Sequence, residues 1–255
     1  MTSLLDATSP YIHRFKGIRA STRPDCIDED ILALLRGYRV TSIELGAQSM
    51  SDDVLAANDR GHTALNVERA SRLIKSYGFE LGLQMMTGLY KSSDELDRYT
   101  AESFIALSPA TVRIYPTIVM RGTRLGELYL SGLYEPQKLD DAVALCAELI
   151  TRFESVGIRV IRVGLHDTDT LRQDMLAGPY HPAFRELCES RIMLDKAISL
   201  LSATEKKENT LRVSPKCRSK MTGNKKSNIA ALNKLGYDVR IVEDDSVPDM
   251  DIVIS

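Results

Sequence analysis

Tryptophan is absent from this 255-residue chain and aromatic residues make up only 6% of it. Its four cysteines, Cys26, Cys146, Cys188 and Cys217, stand far apart. That spacing excludes a CxxC-type zinc or iron–sulfur ligand run and gives no basis for a disulfide framework in a chain of this size. Reduced thiols in a cytoplasm are expected. No window approaches the roughly 18 apolar residues of a membrane span. The start, Met1-Thr2-Ser3-Leu4-Leu5-Asp6, has neither the basic nor the apolar stretch of a signal peptide, so no leader and no membrane partner are expected. Excess charge is lacking too: a net charge of −2 supplies no global attraction to nucleic acid or membrane, though local clusters still can.

What is present is a 44% apolar chain, enough for one large α/β domain with a small appendage. The first two-thirds alternate short β-rich runs with amphipathic segments. Strands are predicted at Lys16–Thr22, Thr41–Leu45, Glu80–Met86, Val112–Tyr115 and Ile158–Val163. Helices are predicted at Asp28–Tyr38, with Ile31, Leu34 and Leu35 on one face, and at Asp52–Asn58, Ala64–Tyr77, Ser93–Leu107 and Pro136–Val156. Gly78 is the expected C-cap of the third. Strands alternating with helices predict βαβ units, a parallel sheet and right-handed crossovers. Five strands are too few for a closed eight-stranded barrel. An open partial barrel or a doubly wound sheet fits the count, and in both the functional edge lies beyond the C-terminal strand ends.

Residues 166–187 read as irregular, and Phe184–Leu201 as a helix. The domain reading is a main body over 1–202, a polar linker over 203–210 and a small βαββ module over 211–255. The module's strands are expected at Leu211–Ser214, Asp238–Val242 and Asp251–Ile254, with a helix at Ser227–Leu235.

Chemistry concentrates where the second strand ends, in Ile43-Glu44-Leu45-Gly46-Ala47-Gln48-Ser49, followed by Asn58-Asp59-Arg60-Gly61-His62-Thr63. On a strand buried on both faces a carboxylate such as Glu44 needs a partner. Gln48 offers two donors and an acceptor, and Arg60 can grip a carboxylate bidentately. The plainer alternative pairs Glu44 with a nearby arginine and makes Gln48 a helix cap. His62, His166 and His181 have no second ligand at metal spacing, so no metal site is predicted.

These segments occur in order with Ser21-Thr22-Arg23-Pro24-Asp25, Gly82-Leu83-Gln84-Met85-Met86-Thr87-Gly88-Leu89, the run Arg113–Thr123 and Gly178-Pro179-Tyr180-His181-Pro182-Ala183-Phe184. Together they resemble the radical S-adenosylmethionine (SAM) enzymes of the Elongator-catalytic-subunit type, with oxygen-independent coproporphyrinogen oxidase-like members among them. The resemblance covers nearly the whole chain. It implies an open partial parallel β/α barrel and reductive cleavage of SAM by a [4Fe–4S] cluster. Gln48 and Arg60 match positions that bind polar groups of SAM. Ser21 and Gln84 stand where relatives carry acidic residues. Tyr115 and Val119 fall on the last core strand, near where the adenine lies, and Glu44 joins the same cofactor-binding set.

Two departures stand out. The family's CxxxCxxC segment and a Gly-Gly-Glu-type strand end have no counterpart here, and Tyr90 replaces a usual proline. The chain is therefore expected to be a truncated, inactive representative, with a partner chain completing the barrel as one option. The rival is a non-catalytic module binding SAM, a nucleotide or RNA. For RNA the expected contacts are Lys220, Lys225 and Lys226, flanking Gly223 in a basic turn that resembles that of a KH module without its second glycine. Read plainly, the same turn is a solvated charged loop, partly offset by Glu243-Asp244-Asp245.

Overall fold

A computed structural model describes residues 2–204 and 208–255. The chain divides into two compact units, one of Met1–Gln137 with Arg152–Pro179, the other of Lys138–Thr151 with Tyr180–Ser255.

The first unit contains α1 (Thr2–Thr8), β1 (Ile18–Thr22), α2 (Glu29–Gly37), β2 (Val40–Gln48), α3 (Asp52–Ala57), α4 (Ala64–Ser76), β3 (Glu80–Thr87), α5 (Asp94–Leu107), β4 (Thr111–Pro116), β5 (Val119–Met120) and α6 (Arg124–Leu130). After α7 (Leu139–Ser155), which contributes residues to both units, come β6 (Arg159–Val163), α8 (Asp169–Asp174) and β7 (Met175–Ala177). Helix starts are fixed by side chains. Asp28 accepts from Ile31 N at 2.8 Å, Thr63 and Asn66 form a reciprocal capping box, and Ser93 accepts from Leu96 N at 3.3 Å. On α2 the deepest contact is made by Leu32, fully buried beside Leu35, and not by the expected Ile31.

Five strands pair in parallel in the order β1-β2-β3-β4-β6. Each strand lies beside its predecessor in the sheet and the winding never reverses. A doubly wound sheet requires a reversal, so the topology selects the open partial β/α barrel. Right-handed crossovers in one direction place the helices on one face. Ile43, Leu45, Leu81, Leu83, Met85, Val112 and Ile114 point to that face and are at most 2% exposed. The alternate residues are polar: Arg19 and Ser21, Ser42 and Glu44, Glu80 and Gln84, Thr111, Arg113 and Tyr115. β2 is buried on both faces, as expected, with Ile43 and Leu45 on one and Ser42 and Glu44 on the other; the second face is polar.

Val119 does not lie on a core strand. It sits on β5, which pairs antiparallel with β7 outside the main sheet, with Val119 opposite Ala177. The segment read as irregular supplies this partner.

The second unit contains α9 (Phe184–Ser202), β8 (Glu208–Val213), α10 (Arg218–Thr222), α11 (Ser227–Lys234), β9 (Asp238–Glu243) and β10 (Val253–Ile254). β8 runs parallel to β9 and antiparallel to β10. Its core joins Met193, Ala197 and Leu201 of α9 to Leu211, Val213, Cys217, Met221 and Leu232. The expected linker over 203–210 is shortened, since Glu208 already begins β8; residues 205–207 lie outside the described residues. Among the described residues no helix is long and apolar enough to cross a membrane.

Candidate functional site

Two polar constellations occupy the helix-free side and the C-terminal edge of the parallel sheet. The first centres on Glu44, which is 1% exposed. Arg113 Nε lies 2.7 Å from Glu44 Oε1 as an ion pair without linear hydrogen-bond geometry, and Arg19 Nη1 reaches Oε2 at 3.5 Å. Gln84 Nε2 donates to Glu44 Oε1. Arg19 also donates to Thr111 Oγ1 at 3.1 Å and Glu80 Oε1 at 2.8 Å, and Arg159 approaches Glu80 at 3.7 Å. The network therefore touches all five strands. Gly82 makes room for it: a Cβ there would stand 3.0 Å from Thr111 Oγ1, 3.1 Å from Glu44 Cγ and 3.3 Å from Arg19 Nη1. Burial acts to lower the Arg113 pKa, but its bond to the Tyr115 hydroxyl (3.4 Å) and the Glu44 charge outweigh it and hold the guanidinium above its ordinary value.

The second constellation lies where β1 and β2 end. The β2–β3 register slips between Leu45 and Gln48. Gln48 then adopts a left-handed backbone with φ +67°, and Ser49 N donates to Ala47 O at 2.8 Å across it. A three-residue turn with positive φ at a non-glycine centre is strained by on the order of 1–3 kcal/mol. The Gln48 amide makes no hydrogen bond among the described residues, and Gln48 is 8% exposed. His62 holds the next loop against this turn: Nε2 lies 3.0 Å from Ala47 O and Nδ1 3.3 Å from Arg60 O. That staple brings the Arg60 loop to the Gln48 turn. Arg60 Nε is buried with no partner, and Arg60 forms no ion pair among the described residues. Burial pulls its guanidinium below the ordinary arginine value, and the neighbouring Arg23 adds to the effect. Arg23 is neutralised by Asp25, at 2.6 and 3.0 Å, and Arg60 is not.

The structure thus brings Gln48 and Arg60 to one strand-end turn and assigns Glu44 and Gln84 to each other. Ser21 is exposed on β1 in register with Glu44. Tyr115 is half-buried beside Arg113, and Val119 lies on β5, which is not a strand of the five-stranded sheet. Gln48 caps no helix, since Ser51 precedes α3. Arg19, Gly82 and Arg113 were not predicted as network members, although the two-residue polar period along β1, β3 and β4 carries that signal.

A third polar group stands behind the β3 end. Asp97, 1% exposed, accepts from Gly88 N at 2.9 Å and Ser92 Oγ at 2.6 Å, while Tyr134 Oη donates to Gly88 O at 2.6 Å. Burial pushes the Asp97 carboxyl up to about 6 against these hydrogen bonds. Tyr90 packs edge-to-face on Tyr134 at 6.2 Å between centroids.

The cysteines do not fit an iron–sulfur ligand set. Cys26 is exposed near β1, while Cys146, Cys188 and Cys217 are buried in the other unit. The Cys188 thiol is pushed well up by its hydrogen bond with Cys146 and by burial, opposite to what a thiolate ligand requires. Among the described residues no three His, Cys, Asp or Glu side chains cluster to hold a metal ion.

Comparison with known proteins places these features in context. A family model described as the radical SAM superfamily matches residues 5–101, and one described as the radical SAM C-terminal domain matches residues 109–194. Elongator complex protein 3 of Danio rerio is 35% identical over 185 residues, covering 69% of this chain and 32% of that protein. A tRNA uridine(34) acetyltransferase of Methanocaldococcus infernus is 31% identical over 157 residues, covering 59% of this chain and 28% of that one. The chain spans about a third of the length of these curated relatives. The solved structure of the archaeal Methanocaldococcus infernus Elp3 with an N-terminal deletion matches with a TM-score of 0.61 at 26% identity, over 69% of this chain and 41% of that one.

Proposed function

Because the chain belongs to the radical SAM superfamily, we propose that its Gln48 turn and Arg60 loop hold the polar end of S-adenosylmethionine. The single observation that carries this reading is Arg60: a buried guanidinium nitrogen without a partner, stapled by His62 to a strained strand end. A carboxylate ligand would satisfy Arg60 and restore its charge to a favourable setting. The Gln48 amide, on the turn to which His62 ties the Arg60 loop, can donate to the same ligand or accept from its amine. Glu44 and Gln84 act one layer below, as the charged floor that fixes β2. Ser21 and Tyr115 border this floor, and Val119, on β5, remains a candidate contact by resemblance alone.

In this superfamily a [4Fe–4S] cluster reduces bound SAM. The cysteines present do not fit such a cluster, so no step is assigned through it. We infer that this chain by itself binds SAM without cleaving it, and that residues outside it, or a partner chain, would have to supply the thiolates. Titration calorimetry with SAM tests the first part: binding that is weakened at least tenfold by Arg60→Leu is expected, and equal binding by both proteins would sink the assignment. Anaerobic reconstitution with iron and sulfide tests the second. Formation of 5′-deoxyadenosine by this chain alone would overturn the inactivity reading.

The relatives include a tRNA uridine(34) acetyltransferase. The expected RNA contact at Lys220, Lys225 and Lys226 therefore stands as a second reading, favoured by the basic turn of the second unit.

A further inference from the structure

Residues 195–255 lie beyond the matched family models. Between Leu211 and Tyr237 the chain carries seven Lys and Arg and no Asp or Glu, and all six carboxylates of the remaining tail fall between Asp238 and Asp251. Folding sorts these charges. Arg218 meets Glu243 at 3.3 Å, Lys216 meets Asp249 at 3.2 Å, Arg212 pairs with Asp244, and Lys220 is held by Glu189 at 2.9 Å. Carboxylates of the acidic stretch and Glu189 of α9 therefore neutralise the cations from Arg212 to Lys220 and leave those of the α10–α11 turn untouched. Among the described residues Lys225, Lys226 and Lys234 have no carboxylate partner, and the first two are adjacent and exposed on one turn.

That turn, Gly223-Asn224-Lys225-Lys226, joins α10 to α11, with the parallel strands β8 and β9 before and after them. Gly223 has φ +79°, and a Cβ there would meet Ser227 Oγ at 2.4 Å and Asn228 N at 2.7 Å. Lys225 and Lys226 are also left-handed, at φ +51° and +64°. KH modules clamp four backbone nucleotides with a Gly-x-x-Gly turn. Here Lys226 occupies the position of the second glycine and adopts the backbone that glycine would supply. The base of the turn is fixed: buried Asn228 donates from Nδ2 to Ser190 O at 2.9 Å, Ser190 Oγ at 3.0 Å and Lys220 O at 3.1 Å, tying α11 to α9 and α10.

We propose that this turn clamps the phosphodiester backbone of single-stranded nucleic acid, with Lys225 and Lys226 as the phosphate contacts. Lys220, already paired, is a support and not a contact. The clamp deepens the RNA reading and is independent of the SAM site.

Fluorescence anisotropy of the full chain with labelled ten-nucleotide oligouridine, oligothymidine and a duplex of equal length tests it. Because residues 225 and 226 both have positive φ, the double variant Lys225→Gly/Lys226→Gly keeps the turn unstrained, and its thermal melt confirms folding. The single strands are expected to bind. In the double variant affinity should fall at least tenfold at low salt, and the slope of log affinity against log salt should flatten by about 1.4, the value for two phosphate contacts on a single strand. SAM titration of the same variant should be unchanged, which separates failure of the clamp from failure of the SAM site. Tighter binding of oligouridine than oligothymidine would identify RNA as the ligand, and equal binding would support the backbone alone. Duplex binding as tight as the single strands, or an unchanged slope in the double variant, would overturn the proposal.

Discussion

Arg113 and Arg60 stand in the same sheet system with opposite surroundings. Arg113 is at mid-strand, its charge met by Glu44 and its Nη1 by Tyr115. Arg60 is at the strand end, half-buried, with no acidic partner among the described residues. A partly buried charge compensated by a buried carboxylate, as Arg113 is by Glu44, belongs to the architecture, because its charge is already met. A partly buried charge that is unmet costs stability and is retained where a ligand repays it. On the proposed reading, mid-sheet is scaffold and the sheet edge is the site.

The largest test of this division is Glu44→Ala. Removing the hub leaves Arg19 and Arg113 uncompensated, and stability should fall by about 3–5 kcal/mol in urea unfolding. A loss under about 1 kcal/mol would show that the network is solvated and not architectural.

Next comes Asp97, whose folded pKa of about 6 lies above its ordinary 3.8. The folded chain therefore keeps a proton that the unfolded chain releases between roughly pH 4 and 6. Its stabilising effect is complete below about pH 4 and is lost as pH rises through 6. Relative to Asp97→Asn, the parent should lose on the order of 2–3 kcal/mol across that window. Parallel stability curves for the two proteins would contradict it.

Arg60→Leu should cost about 1.5–3 kcal/mol of SAM binding, that of a charged hydrogen bond. The smallest expected effect is on the stability of the same variant, within about 0.5 kcal/mol of the parent or above it. If Arg60→Leu instead destabilised the fold as Glu44→Ala does, the contrast between edge and middle would vanish.

The five strands of the main sheet were legible because hydrophobic periodicity and glycine punctuation are local, although β2 runs on to Gln48, past the expected Leu45; Gln48 and Arg60 were singled out by the family resemblance, and their role remains a proposal. The partners of Glu44 were not legible. Arg19 and Gln84 stand 25 and 40 residues away, and only the inter-strand register brings them together. The left-handed turn at Gln48 was equally hidden, since glutamine does not announce a positive φ as glycine does. Val119 was misplaced because its partner strand, Met175–Ala177, is three residues long and carries no period of its own. In the tail the run of cations was visible, but which of them are neutralised depends on Asp249, Glu243, Asp244 and Glu189 arriving from elsewhere in the fold.

The Glu44 network has a kinetic consequence as well. Its side chains come from β1, β2, β3, β4 and β6, so peeling any one strand away leaves a charge behind in the others. Edge strands usually fray independently, and their amides exchange with solvent long before those of the centre. Here β1 and β6 are joined to the middle through Arg19 and Arg159, and amide exchange across the five strands should converge on one opening event.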